Sequence, residues 1–146
     1  IQEHCPNHTI LRVQWLYGKN GPNFIKTMQQ LFQTKPKLTV IADQWGSPTS
    51  TQSLAHYVQE LLKTPLPTGL FHCHDDGYTN WHEYTTFLAQ ELNYKNPIIP
   101  TESTHYPSPA KRPLNGKLSQ NKLATHSTFT PIPWKESVQR YLKPQP

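Results

Sequence analysis

Residue types that could do chemistry are concentrated in three short segments, at 17–24, 72–76 and 107–118. In the first segment, YGKNGPNF, two glycines precede a predicted helix that begins after Asn23. A dinucleotide fingerprint would need a third glycine, in the order G-x-G-x-x-G, directly between a strand and its helix. Phe24 stands at that third position, so the spacing favours an ordinary loop. The free N–H groups of the following helix still leave a phosphate or another oxyanion open as a ligand.

The second segment, His72-Cys73-His74-Asp75-Asp76, is rich in side chains that can bind metals. On a strand, His72 and His74 would share one face and could start a zinc site. No third and fourth ligands follow at a recognised spacing. We therefore predict no metal site and interpret this segment as the polar end of a strand, followed by a turn.

The third segment, PSPAKRPLNGKL, places Lys111 and Arg112 between prolines. Proline fixes the backbone on either side, so an arginine held there loses less conformational freedom on binding. Its planar guanidinium suits two-point contact with a phosphate. From the residues alone, a phosphate contact and a solvated basic loop remain equal alternatives. Trp15 and Trp45 stand beside glycines at the ends of predicted strands, where their rings could meet a sugar or a base.

No catalytic constellation stands out in the sequence. Short-chain reductases use a Tyr-x-x-x-Lys pair, in which the lysine makes the phenol acidic enough to exchange a proton with a carbonyl oxygen. No tyrosine here is followed by a lysine four residues later. Paired carboxylates and a nucleophile elbow are equally absent from the sequence. We predict that this chain supplies no catalytic residue.

Composition excludes several functional classes. The chain has 146 residues, a formal net charge of +5 and 15 prolines. Its lysines and arginines are scattered rather than grouped in a stripe, so we predict no nucleic-acid surface. Its apolar runs are far shorter than the ~20 residues of a membrane span, so we predict no membrane segment. With two cysteines and no visible secretory signal, we expect free thiols and a cytoplasmic location.

Hydrophobic periodicity predicts alternating strands and helices. Branched residues indicate strands at 9–14 and 38–42, and a third short strand is predicted at 69–72. Three- and four-residue spacing indicates the helices between and after them. The predicted helices begin after Asn23, at Ser50 or Thr51, after Thr79 or Asn80, and at Trp134. The second helix is expected to run to Lys63 and to bury one face, made of Leu54, Ala55, Val58, Leu61 and Leu62. We expect 43–49 to be a loop and 96–112 to be extended. This alternation predicts α/β architecture.

Three ordered motifs resemble the dTDP-4-dehydrorhamnose reductase family of extended short-chain dehydrogenases/reductases. They are LRxxWLYG at 11–18, DQxGxPT at 43–49 and YPxPAxRPxN at 106–115. The resemblance covers almost the whole chain and corresponds to the family's C-terminal half. It implies that 1–146 form one substrate-binding lobe of a Rossmann-like fold, with few short strands and three to four helices. The cofactor-binding half, with its glycine fingerprint and Tyr-x-x-x-Lys, is then expected upstream of Ile1.

The same resemblance implies a binding site for a nucleotide-linked 4-keto-6-deoxy sugar. Arg112 would hold the diphosphate near the helix that starts at Asn23, and Trp15 would lie near the sugar. Gly116 departs from the family, which usually has serine at this position. The implied substrate-binding residues are Trp15, Asn23, Phe24, Gln44, Gly46, Pro48, Thr49, Arg112 and Asn115.

The resemblance further implies NADPH or NADH as cofactor, bound mainly by the half that this chain lacks. The partners expected are a dTDP- or UDP-linked sugar and the missing Rossmann half or an equivalent chain, with a homodimer left open. The isolated chain is predicted to be inactive. The alternative is a non-catalytic interaction module of the same family, similar to the regulatory subunit of methionine adenosyltransferase.

Overall fold

The computed structural model describes residues 1–63, 65–106, 110 and 112–143. Pro107, Pro109 and Lys111 of the proline-rich motif therefore lie outside the described residues. The strands are β1 Thr9–Arg12, β2 Leu16–Tyr17, β3 Leu38–Ile41, β4 Trp45–Gly46, β5 Thr49–Ser50, β6 Gly69–His72, β7 Thr79–Asn80 and β8 Ile98–Thr101. The helices are α1 Phe24–Thr34, α2 Thr51–Leu61, α3 Trp81–Glu91, α4 Asn121–Ala124 and α5 Trp134–Leu142, with a 3-10 turn at Ser103–His105.

Local capping chemistry sets where three of the helices begin. The side-chain oxygen of Asn23 accepts a hydrogen bond from the Lys26 N–H at 3.1 Å, at the start of α1. Ser50 caps α2 and Asn80 caps α3 in the same way, at 2.9 and 2.8 Å. Each cap satisfies a backbone donor that has no partner within its own helix. These helix starts confirm the sequence prediction.

Parallel strand pairs confirm the predicted α/β class. The strands that pair are not consecutive in the sequence. β1 pairs with β6, from Thr9 opposite Gly69 to Arg12 opposite His72. β3 pairs instead with β8, in the segment predicted only as extended. The proline in β8 lowers its strand propensity, although proline is tolerated on an edge strand. The described residues form five α-helices, where three to four were predicted. The additional helix is the four-residue α4.

The 43–49 segment contains two short strands, although it is predicted as a loop. β4 pairs antiparallel with β7, and β5 pairs parallel with β2. The Trp45 N–H also donates to the Leu114 carbonyl at 2.8 Å, and the Gly116 N–H donates to the Trp45 carbonyl at 2.8 Å. Residues 114–116 therefore run alongside β4, which brings the Arg112 segment to the loop that carries Gln44.

The predicted buried face of α2 is partly wrong. Leu61 is buried as expected, but Val58 and Leu62 are 40% and 65% exposed. The helix instead buries Ser53, Tyr57 and Leu61. Tyr57 turns inward because its hydroxyl donates to the Gln120 carboxamide oxygen at 2.8 Å, a contact between segments that no local periodicity encodes.

Apolar side chains form two cores. The larger core packs α1, α3 and α5 around β3, with Ile25, Leu88 and Val138 each fully buried. The smaller core lies between α2, β6 and α4 and contains Tyr57, Phe71 and Leu123. In the described part of the chain, no helix is long and apolar enough to cross a membrane.

Candidate functional site

A cavity of about 560 Å³ opens where the ends of β1, β4 and the start of α3 meet the 112–116 segment. This volume lies within the range of small-molecule sites. Its walls combine three indole rings, two glutamine side chains and one arginine. The tryptophans are Trp15, Trp45 and Trp81, the glutamines are Gln14 and Gln44, and the arginine is Arg112, with Pro113 and Gly116 beside it.

Trp15 has an unusual backbone conformation, with φ at 45°. The left-handed region is unfavourable for a bulky side chain, and such conformations are concentrated at functional sites. Consecutive residues on a regular strand point to opposite faces. Here Gln14 and Trp15 both line the same cavity. The left-handed residue after β1 therefore turns two neighbouring side chains towards one site.

A column of aromatic rings forms the floor of the cavity. The Trp15 and Trp81 rings stack with centroids 3.6 Å apart and planes inclined by 18°. Phe24 follows behind Trp81 at 4.5 Å. Phe24 itself lines a smaller apolar cavity of about 240 Å³, which shares Trp81 with the larger one. The column fixes the orientation of the Trp15 ring.

Two glycines allow the walls of the cavity to approach closely. A Cβ atom at Gly46 would lie 2.7 Å from Cε2 of the Trp15 ring. A Cβ atom at Gly116 would lie 2.7 Å from the Trp45 carbonyl oxygen. Real Cβ contacts do not become this short, so any larger residue would push the walls apart.

Positive charge lies at the cavity. The Arg112 side chain is exposed and contributes to the lining. The Lys117 ammonium lies 4.6 Å from the centre of the Trp45 ring and 5.6 Å from that of Tyr78. Within the described residues, neither cation forms an ion pair with a carboxylate. Both charges are therefore available to an anionic ligand, for which a guanidinium supplies two-point contact.

A buried carboxyl group supports the loop that carries Gln44 and Trp45. Asp75 is fully buried, and its Oδ2 accepts a hydrogen bond from the Ser50 N–H at 3.1 Å. The Ser47 hydroxyl donates to the Asp75 carbonyl oxygen at 2.8 Å. Burial raises the pKa of the Asp75 carboxyl, while hydrogen bonds from Ser53 and Ser50 act in the opposite direction. These contacts fasten the 47–50 segment to the end of β6.

The predicted site residues fall into two groups. Trp15, Gln44 and Arg112 line the large cavity. The other six predicted residues do not appear in its lining; they are Asn23, Phe24, Gly46, Pro48, Thr49 and Asn115. Asn115 holds the 115–117 turn through its side chain, whose oxygen accepts from the Lys117 N–H at 3.1 Å. Pro48 and Thr49 are buried in the loop behind Gln44.

Asn23 is engaged in structural contacts. Besides capping α1, its amide nitrogen donates to the Gly18 carbonyl at 2.9 Å. It lies outside the lining of the large cavity. Two further lining residues, Gln14 and Trp81, were not among the residues predicted from the sequence. The only sequence signal for Gln14 was a polar residue at the end of an apolar strand, next to Trp15.

The two cysteines and the possible metal ligands form no further reactive site in the described residues. Cys5 is exposed and Cys73 is buried, and both are free thiols. Burial raises the pKa of the Cys73 thiol to about 12, which keeps it protonated and unreactive. The described residues contain no group of three or more histidine, cysteine or carboxylate side chains that could hold a metal ion.

Comparison with known proteins gives a consistent result. The chain is 36% identical to a dTDP-4-dehydrorhamnose reductase of Shigella flexneri, over 97% of its own length and 51% of the relative. The crystal structure of a dTDP-4-dehydrorhamnose reductase from Clostridium acetobutylicum superposes with a TM-score of 0.85 at 34% identity, covering 94% of this chain and 48% of that one. The Bacillus anthracis reductase, solved in complex with NADP, gives a TM-score of 0.83 at 32% identity and coverages of 92% and 47%. The chain therefore spans about half the length of the curated relatives it matches.

The family match extends over nearly every residue. The RmlD substrate binding domain matches residues 1–145. The fold agrees with this match, since the two solved reductases superpose over 92% and 94% of this chain. This chain belongs to the RmlD substrate binding domain family.

Proposed function

We propose that this chain is the substrate-binding lobe of an NAD(P)H-dependent dTDP-4-dehydrorhamnose reductase, and that its large cavity holds the nucleotide sugar. One observation carries the proposal: Trp15, Gln44 and Arg112 come from distant parts of the sequence and line one cavity. The names of the reductase relatives supply the substrate class. The cavity supplies indole surfaces, neutral amides and a guanidinium, which are the groups that a sugar nucleotide requires.

The cavity lining suggests how the ligand is oriented. Arg112 would bind the diphosphate, because charge-assisted contacts of guanidinium with phosphate are stronger than neutral hydrogen bonds. Trp15 and the neutral amide of Gln44 would face the sugar. An indole ring offers a flat apolar surface to the C–H groups of a sugar, and an amide can both donate to and accept from its oxygens.

Reduction requires groups that this chain does not contain. A bound nicotinamide cofactor would supply hydride to C4 of the sugar, as the NADP complex of the Bacillus anthracis relative suggests. Because no Tyr-x-x-x-Lys occurs here, the proton donor for the sugar oxygen would belong to the other half of the enzyme. The residues of this chain would bind and orient the substrate. Positioning alone can contribute about 7–11 kcal/mol to catalysis.

Features of the fold support a second polypeptide region as partner. β1 and β6 form a parallel sheet of only two strands in the described structure. Parallel sheets are usually larger and covered on both faces. Apolar side chains on the outer side of α2 are also exposed, with Leu62 at 65%. We expect the lobe to pack against polypeptide equivalent to the other half of its relatives.

Isothermal titration calorimetry with dTDP tests the proposal. We expect binding by the 146-residue chain and a loss of about 1.5–3 kcal/mol in Arg112→Ala, since that change removes a charge-assisted contact. Arg140→Ala serves as the control, because Arg140 is exposed on α5 and pairs with Glu136. Equal affinity in wild type and Arg112→Ala would remove Arg112 from the site. No binding of dTDP or dTDP-sugar by the wild type would refute the lobe assignment and favour the interaction module.

An activity assay tests whether this chain can reduce the substrate by itself. We expect no NADPH oxidation by the pure chain with dTDP-4-dehydrorhamnose, because the proton donor is missing. Turnover by the purified chain alone would show that its own residues complete a catalytic site.

A further inference from the structure

Gln14 carries a buried polar atom that no other residue in the described part of the chain satisfies. Its amide nitrogen is inaccessible to solvent, and no described residue accepts a hydrogen bond from it. Buried polar groups in native proteins almost always have a partner, and an unpaired one lowers stability. The same side chain lines the large cavity. Rotation of the carboxamide would let a ligand in that cavity supply the missing acceptor.

The surroundings hold Gln14 at the cavity. Its Oε1 lies 2.9 Å from the position that a Cβ atom would take at Gly46, and 3.4 Å from the corresponding position at Gly116. The two glycines thus leave the space that the carboxamide occupies. Trp15, the residue after Gln14, has a left-handed backbone, and its side chain lines the same cavity. The terminal torsion of a glutamine rotates over a broad range, so its N–H groups can turn towards a bound ligand.

We infer that Gln14 is a sugar-recognition residue, whose amide N–H donates to an oxygen of the sugar ring or its substituents. The inference rests on the proposed function. The lining offers two kinds of polar group. The guanidinium of Arg112 suits the diphosphate, and the neutral carboxamide of Gln14 suits an uncharged hydroxyl or carbonyl oxygen. The stacked rings of Trp15 and Trp81 lie beside Gln14 and offer the flat surface that a sugar needs.

Paired titrations separate a sugar contact from a nucleotide contact. Wild type, Gln14→Met and the control Gln52→Met are each titrated with dTDP and with dTDP-rhamnose, the reduced form of the proposed substrate. Methionine has a similar length but no N–H donor, and Gln52 is an exposed residue of α2. We expect Gln14→Met to bind dTDP-rhamnose about three- to tenfold more weakly, the effect of one lost neutral hydrogen bond, and to bind dTDP unchanged. Gln52→Met should behave as wild type with both ligands.

Stability provides an independent measurement. Because Gln14→Met removes an unpaired buried amide, its urea midpoint should equal or exceed that of wild type. A purely structural glutamine would give the opposite result, a lower midpoint with no sugar-specific loss. Gln14→Leu repeats the test with another apolar side chain, in case methionine does not fold.

The outcomes distinguish this inference from the proposed function. Equal weakening of dTDP and dTDP-rhamnose would place the contact on the nucleotide and overturn the sugar assignment. Unchanged binding of both ligands, alongside a loss in Arg112→Ala, would overturn the role of Gln14 and leave the lobe assignment standing. Failure of the wild type to bind either ligand would refute the proposed function first, and the inference with it.

Discussion

Trp15 and Trp81 stack with ring centroids 3.6 Å apart, although one follows the first strand and the other begins a helix in the second half of the chain. Trp15 makes this contact from a backbone conformation with φ at 45°. The stack therefore combines favourable aromatic packing with unfavourable backbone geometry. Such a combination persists where the position of a ring matters more than local stability.

Trp15→Gly should be more stable than Trp15→Ala, by roughly 1 kcal/mol. Both variants lose the ring, but glycine adopts a positive φ without the steric penalty of a Cβ atom. Urea unfolding of the two proteins measures the difference. At an ordinary strand position the alanine variant would be the more stable. Greater stability of Trp15→Ala than of Trp15→Gly would therefore show that the left-handed conformation is absent in solution.

Gly46→Ala should lower stability by about 1–3 kcal/mol, since its methyl group would overlap the Trp15 ring. It should also weaken binding of dTDP-rhamnose, because the ring must move. A double-mutant cycle identifies the cause: in a Trp15→Gly background, the penalty of Gly46→Ala should shrink. An unchanged penalty in that background would mean that the added methyl group meets something other than the indole.

Asp75→Asn should stabilise the protein at neutral pH. Burial raises the pKa of the Asp75 carboxyl, so the folded state retains a proton that the unfolded chain releases from about pH 4 upwards. Stability of the wild type should therefore fall as the pH rises from about 4 through the folded-state pKa, and asparagine should abolish that part of the decline. Denaturant midpoints at a series of pH values measure it. Parallel curves for the two proteins would contradict the prediction.

Asn23→Ala should lower stability by about 0.5–2 kcal/mol, because it removes the cap of α1. The bond to the Gly18 carbonyl is lost in the same variant. Thermal and urea unfolding give the stability. A dTDP titration under fully folding conditions separates a cap from a ligand contact: a cap leaves the affinity close to wild type, and a tenfold loss would make Asn23 part of the site.

Local features of this protein could be predicted from its sequence because they depend on residues that are neighbours in the chain. The starts of α1, α2 and α3 follow from side chains that bond a backbone N–H three residues later. The strands β1 and β3 follow from short runs of branched residues. The motifs around Trp15, Gln44 and Arg112 also predicted the family, which the RmlD substrate binding domain match confirms.

Contacts between distant segments were decided only by the tertiary structure. α2 buries Tyr57 rather than Val58, because the Tyr57 hydroxyl donates a hydrogen bond to the Gln120 carboxamide oxygen, and periodicity within the helix carries no record of Gln120. β3 pairs with β8 rather than with its neighbours in the sequence. Gln14 and Trp15, although neighbours in the chain, line the same cavity, and Trp15 does so from a left-handed backbone conformation. The sequence alone determined the family, the strands β1, β3 and β6, and the starts of the long helices. The cavity exists only where packing brings separate segments together, since its walls come from parts of the chain that are far apart in sequence.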